Sequence, residues 1–138
     1  MVRGARYAFV ALAWAFVAGV VLQVFFIGLA LFAGRENMNL HVDFGYLLHL
    51  FPLLILLSAF LARARRTRIL EATALAVTVL ITPILVLAKA DWPVLAALHP
   101  VGALLAFWLA IVVARSATQL LSATDAGASS NPVPQAGA

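Results

Sequence analysis

Four long stretches of this chain contain no Asp, Glu, Lys or Arg: Tyr7 to Gly34, Phe44 to Ala62, Ala72 to Ala88, and Trp92 to Ala114. A helix needs roughly 20 mostly apolar residues to cross the hydrocarbon core of a bilayer. With their flanks, these stretches predict transmembrane helices at about 7–33, 40–62, 69–89 and 93–115. The chain is 65% hydrophobic and only 10% charged, whereas soluble domains average about 45–50% and about 25%. The first stretch is far longer than the apolar core of a cleaved signal peptide, about 7–15 residues, so it is expected to remain as a span. Short connections between spans place neighbours antiparallel. The expected fold is therefore all-α, an integral membrane four-helix up-down-up-down bundle over residues 1–121. Residues 122–138, rich in Ala, Ser, Gly and Pro, read as a disordered cytoplasmic tail.

The basic residues are distributed unevenly. Of the nine, Arg3, Arg6, Arg63, Arg65, Arg66, Arg68 and Arg115 fall at one end of the expected bundle, and only Arg35 and Lys89 at the other. Positive charge marks the cytoplasmic side. Both termini are therefore expected in the cytoplasm, and the protein in a bacterial inner membrane as a multi-pass chain. The same asymmetry accounts for the run "RARRTR" as a topology signal, a reading preferred to a DNA site or an anionic-lipid site, so nucleic acid is not an expected partner.

Ionisable residues inside membrane helices usually face the bundle interior and mark function. The stretch "LHVDFGYLLH" carries His41, Gly45 and His49 at steps of four, along one side of a helix. The last span carries His99 with Gly102. Imidazole can supply an axial bond to a haem iron, and glycine lets a flat macrocycle approach the backbone. The depths favour His49 and His99 as the axial pair, with His41 nearer the surface. That pairing depends on where the fourth helix begins. If it begins at Pro100 instead of near residue 93, His99 rises to the level of His41, because the residue before a proline resists helical geometry. Gln23 is expected near His49, Asp43 could orient a ligand histidine, and Arg35 could meet a haem propionate. Pro52 and Pro83 should free the carbonyls of Leu48 and Val79. The plainer alternative is that glycine and histidine here serve only helix packing and interhelical hydrogen bonds. With no cysteine in the chain, disulfides, thiolate metal sites and covalent c-type haem are excluded.

The segments "LQVFFIGLALF", "LHVDFGYLLHLFPLLILLSAFLAR" and "ALHPVGALLAFWLAIVVAR" resemble a family of small four-helix bacterial membrane proteins of unknown function. More distantly they resemble one four-helix half of haem A synthase and other b-type haem membrane bundles. That resemblance implies His41, His49 and His99 as candidate ligands of haem b. Haem A synthase has a second half and a catalytic site that this single bundle lacks, so its enzymatic activity is not carried over and no catalytic residue is assigned.

The expected function is a membrane b-type haem protein in one-electron transfer, with a quinone, another redox partner or a larger membrane complex beside it, or as a homo-oligomer. The alternative is a cofactor-free partner or scaffold subunit. A zinc or copper ion on all three histidines is disfavoured by the depth spread from His41 to His49. A transporter is the weakest candidate, since no acidic relay lies at the midplane.

Overall fold

The computed structural model describes residues 2–129, with side chains to residue 123. Regular structure in that range is entirely helical: α1 (Val2–Phe32), a 3-10 turn (Arg35–Asn37), α2 (Met38–Leu48), α3 (Leu50–Leu61), α4 (Arg66–Ile81), α5 (Ile84–Leu87), α6 (Pro93–Ala96) and α7 (His99–Ser129). Grouped by their breaks, these make four spans long and apolar enough to cross a membrane: Val2–Phe32, Arg35–Leu61, Arg66–Leu87 and Pro93–Ala123. Helix α1 packs on α7 and α3, and α4 packs on α3 and α7. The four long helices thus form a closed square with each neighbour antiparallel, as short connections require.

Prolines account for the breaks. Pro52 has no N–H to offer the Leu48 carbonyl, and α2 ends at Leu48. The His49 amide there turns to the Tyr46 carbonyl at 3.3 Å, three residues back instead of four. Pro83 stops α4 at Ile81 in the same way, and the chain tightens through residues 82–88 before α6. Between α1 and α2 the turn depends on Gly34, whose φ of 134° is open only to glycine.

The core lies toward the end of the bundle that carries most of the arginines. Phe9, Phe16, Ile55, Leu75 and Val113 are fully buried there, between the small residues Ala13, Ala59, Ala72, Ala110, Ala114 and Ala117. Small residues let membrane helices approach closely, and packing replaces the hydrophobic effect that lipid cannot supply. Outward-facing residues are as apolar as the core: Phe32 is 91% exposed, Val94 83% and Leu87 80%. A water-soluble protein does not carry that much contiguous apolar surface. Such an outer surface belongs in a lipid bilayer.

Two expected boundaries differ. The last helix does not stop at residue 115 but continues to Ser129. Residues 122–129 are therefore helical where a disordered tail was expected, and residues 130–138 lie outside the described part. The run Ala117 to Ala128 is rich in alanine, the strongest helix former, which carries the helix past its membrane-spanning part. The fourth span does begin at Pro93, but α6 ends at Ala96 and the long helix starts again at His99.

Candidate functional site

At the end of the bundle opposite the arginine-rich one, the helices part. Helix α2 leans on α1 and has little contact with α7. The space between them is a cleft of about 750 Å³. Its walls are nearly all apolar, including Phe16, Val20, Leu48, Val79 and Phe107. Gln23 and Thr82 join them, with all three histidines of the chain. Val21, Val24 and Leu104 also line it and are 56%, 61% and 70% exposed on the outer surface. The cleft is therefore open on the side of these α1 and α7 residues, which would meet hydrocarbon with the four spans in a bilayer.

The histidine rings are fixed by main-chain carbonyls. His41 Nδ1 lies 3.2 Å from the Gln23 carbonyl, His49 Nδ1 lies 2.5 Å from that of Gly45, and His99 Nδ1 lies 3.0 Å from that of Thr82. A carbonyl can only accept, so each Nδ1 carries the proton. In the neutral ring Nε2 is then the bare nitrogen, able to bind a metal or accept a hydrogen bond. Such a bond on the far nitrogen is the usual way a ligating histidine is oriented. The contact with Gln23 is reciprocal: its Nε2 donates to the His41 carbonyl at 2.7 Å, clamping α1 to α2. Among the described residues no donor reaches Gln23 Oε1, although it is buried.

The rings of His41 and His99 have centroids 6.5 Å apart and planes at 78°. Two imidazoles on opposite sides of one metal, with bonds of about 2 Å, hold their ring centres roughly 6–6.5 Å apart. The structure thus brings together His41 and His99, and not the favoured pair of His49 and His99. The cause is the start of α7 at His99, which lifts that residue to the level of His41. His49 lines the same cleft two helical turns deeper, its ring 6.5 Å from that of Tyr46.

The other expected site residues divide. Gln23 and Gly45 line the cleft. Gly45 also admits the Gln23 side chain, since a Cβ there would stand 2.8 Å from Gln23 Nε2. Gly102 does not face the cleft; a Cβ at this position would meet Thr82 Oγ1 at 2.6 Å, so its role is close packing of α7 on α4. Arg35 lies apart, in a shallow depression with Ala30, Leu31 and Met38, away from the histidines. Asp43 is exposed, and the Gln23 carbonyl takes the orienting role proposed for it. Of the two carbonyls expected to be freed, neither is the one used. His49 takes that of Gly45, which its own amide has left, and His99 takes that of Thr82. Thr82, at the edge of the proline break, is the orienting group that the sequence pointed to least directly. Among the described residues, no group of three His, Cys, Asp or Glu side chains could hold a metal ion, which leaves the three-histidine zinc or copper site without support.

Fold and lining together define a multi-pass helical membrane protein with a histidine-bearing, lipid-facing cleft. Residues 23–90 match the model of a family of unknown function (DUF6220). The match takes in Gln23, His41, Gly45, His49, Thr82 and Pro83 and stops short of His99. No curated protein and no solved structure matches the chain. These comparisons give no support to the expected likeness to one half of haem A synthase.

Proposed function

We propose that the cleft binds one haem b between His41 and His99, and that the protein is a membrane electron-transfer module. The observation that carries this reading is the ring pair: two imidazoles at sandwich spacing, each with Nδ1 on a carbonyl and Nε2 left bare, in an apolar cleft of about 750 Å³. The donor set suits haem iron, which takes neutral imidazole as an axial ligand. Bound haem would supply one-electron chemistry. The chain's own contribution is to hold both rings, keep water from the metal and set the polarity around it. Gln23 fixes the α2 ligand through its main chain and side chain, and Thr82 fixes the α7 ligand. The arginine asymmetry supports a bacterial inner membrane, with both termini in the cytoplasm and the histidine cleft in the outer half.

Absorbance spectra of the detergent-purified protein, oxidised and then reduced, test this reading. After incubation with haemin, the wild type should give a low-spin spectrum that sharpens on reduction. His41→Ala and His99→Ala should each lose it, and His49→Ala should keep it. A wild type that takes up no haem, or three variants that all keep the low-spin bands, would sink the reading.

The second reading, a cofactor-free partner subunit, draws on Gly45 and Gly102. Both accept a neighbouring helix's side chain at distances no Cβ would tolerate, as packing glycines do. A colourless protein that co-purifies with a larger membrane chain would favour it.

A further inference from the structure

At the other end of the bundle, the turn between α3 and α4 has a form that topology alone does not require. Helix α3 ends with the Ala64 amide on the Ala59 carbonyl and the Arg63 amide on the Phe60 carbonyl, both at 3.0 Å. This is the Schellman pattern, whose turning residue is left-handed and usually glycine. Here it is Arg63, at φ 53°, the one non-glycine residue with positive φ among those described. A side chain in that conformation costs roughly 1–2 kcal/mol. A signal for orientation needs only a count of charges near the membrane; Arg65, Arg66 and Arg68 already supply it, and glycine at 63 would make the turn without strain.

The residues around Arg63 explain what the turn achieves. Ala62 is fully buried and Ala64 nearly so, so the turn is pinned to the core by its alanines. Arg63, Arg65 and Arg66 alternate with them and are exposed. Their side chains make no hydrogen bond or ion pair among the described residues. Glu71 is the nearest acid in sequence, and one of its oxygens is buried without a partner instead of neutralising them. Three guanidinium groups are thus held on a fixed turn between two candidate spans, Arg35–Leu61 and Arg66–Leu87, where the phosphates of a surrounding bilayer would lie.

We propose that this turn is a binding site for the phosphate of an anionic phospholipid, with Arg63, Arg65 and Arg66 as its ligands. Guanidinium matches phosphate with paired, charge-assisted hydrogen bonds. The turn lies in the headgroup layer, which commits the site to a lipid headgroup over free phosphate.

The full chain in neutral detergent micelles, doped with either phosphatidylglycerol or phosphatidylcholine, provides the test, with bound lipid counted by native mass spectrometry. The wild type should retain phosphatidylglycerol selectively, and millimolar inorganic phosphate should not displace it. Replacing all three arginines with glutamine should cut that retention by tenfold or more, each exposed charge near an anionic surface contributing about fivefold. Arg63→Gly separates binding from folding. It should raise the melting temperature in phosphatidylcholine by about 3 °C or more, by relieving the backbone, and yet weaken phosphatidylglycerol retention. Equal retention of the two lipids by the wild type, or unchanged phosphatidylglycerol retention in Arg63→Gly and in the triple variant, would overturn the proposal. Displacement by inorganic phosphate would also overturn it.

Discussion

Replacing Gly102 with alanine should push α7 away from α4, and the size of the effect follows from the contact. The new Cβ would lie 2.6 Å from Thr82 Oγ1, 3.0 Å from its Cγ2 and 3.3 Å from its Cβ. Thr82 has little room to give. It is 8% exposed, its hydroxyl donates to the Thr78 carbonyl at 2.7 Å, and its own carbonyl holds His99. Relief must come from the helix pair as a whole. Overpacking of this kind costs about 1–3 kcal/mol, offset by about 1 kcal/mol from replacing a helical glycine with alanine. The net expectation is about 0–2 kcal/mol of destabilisation. Gly28 is the control, because a Cβ there meets nothing within 4 Å. Gly28→Ala should therefore gain most of that ~1 kcal/mol. The contrast between the two variants, about 1–3 kcal/mol, is readable by reversible unfolding in mixed dodecyl maltoside and sodium dodecyl sulfate micelles. Combining Gly102→Ala with Thr82→Ala closes a double-mutant cycle. If the contact is the cause, the second change should remove at least about 1 kcal/mol of the penalty. Equal stabilisation by Gly102→Ala and Gly28→Ala, or a coupling energy near zero, would refute the reasoning.

Pro83→Ala restores an amide that can reach the Val79 carbonyl and lets α4 continue, so that the Thr82 carbonyl, which now accepts from the Leu85 amide at 3.3 Å as well as from His99, is drawn into line with the helix and away from the ring; nitrogen NMR should then show the His99 ring losing its single Nδ1–H tautomer, and an unchanged tautomer would count against that carbonyl as the orienting group. The orientation can be tested without removing any native thiol, since the chain has no cysteine: Ala90→Cys should react with an impermeant maleimide added to intact cells and Thr67→Cys should not, and the reverse pattern would invert the bundle.

The spans were legible because lipid imposes a simple condition, length without charge, and the uncharged stretches meet it. The inner faces were not. In a soluble bundle a polar stripe marks the outside of each helix, but here both sides are apolar. Buried Phe9, Ala13 and Phe16 look no different in sequence from exposed Val21, Val24 and Phe25. Prolines signalled the breaks at 52 and 83, yet not which carbonyls the histidines would take. That choice depends on how far each neighbouring helix slides along its partner. The histidine pairing hinged on one such detail. Pro100 left two starting points for the last helix, and only the loop from Lys89 to Leu98, with its own short α6, puts His99 beside His41. Gly102 carried the same ambiguity, since a glycine facing a cofactor and a glycine facing a threonine are written with the same letter.

The sideways mouth at Val21, Val24 and Leu104 has a consequence for how binding to this protein is measured. An occupant of the cleft comes from a two-dimensional solution. Its effective concentration is a mole fraction in the bilayer, set by partitioning before the protein is involved. Acyl chains and detergent tails are solvent at that mouth and also competitors for the space behind it. A dissociation constant per litre of buffer would drift with every change in lipid or micelle content, while one expressed per lipid would hold steady.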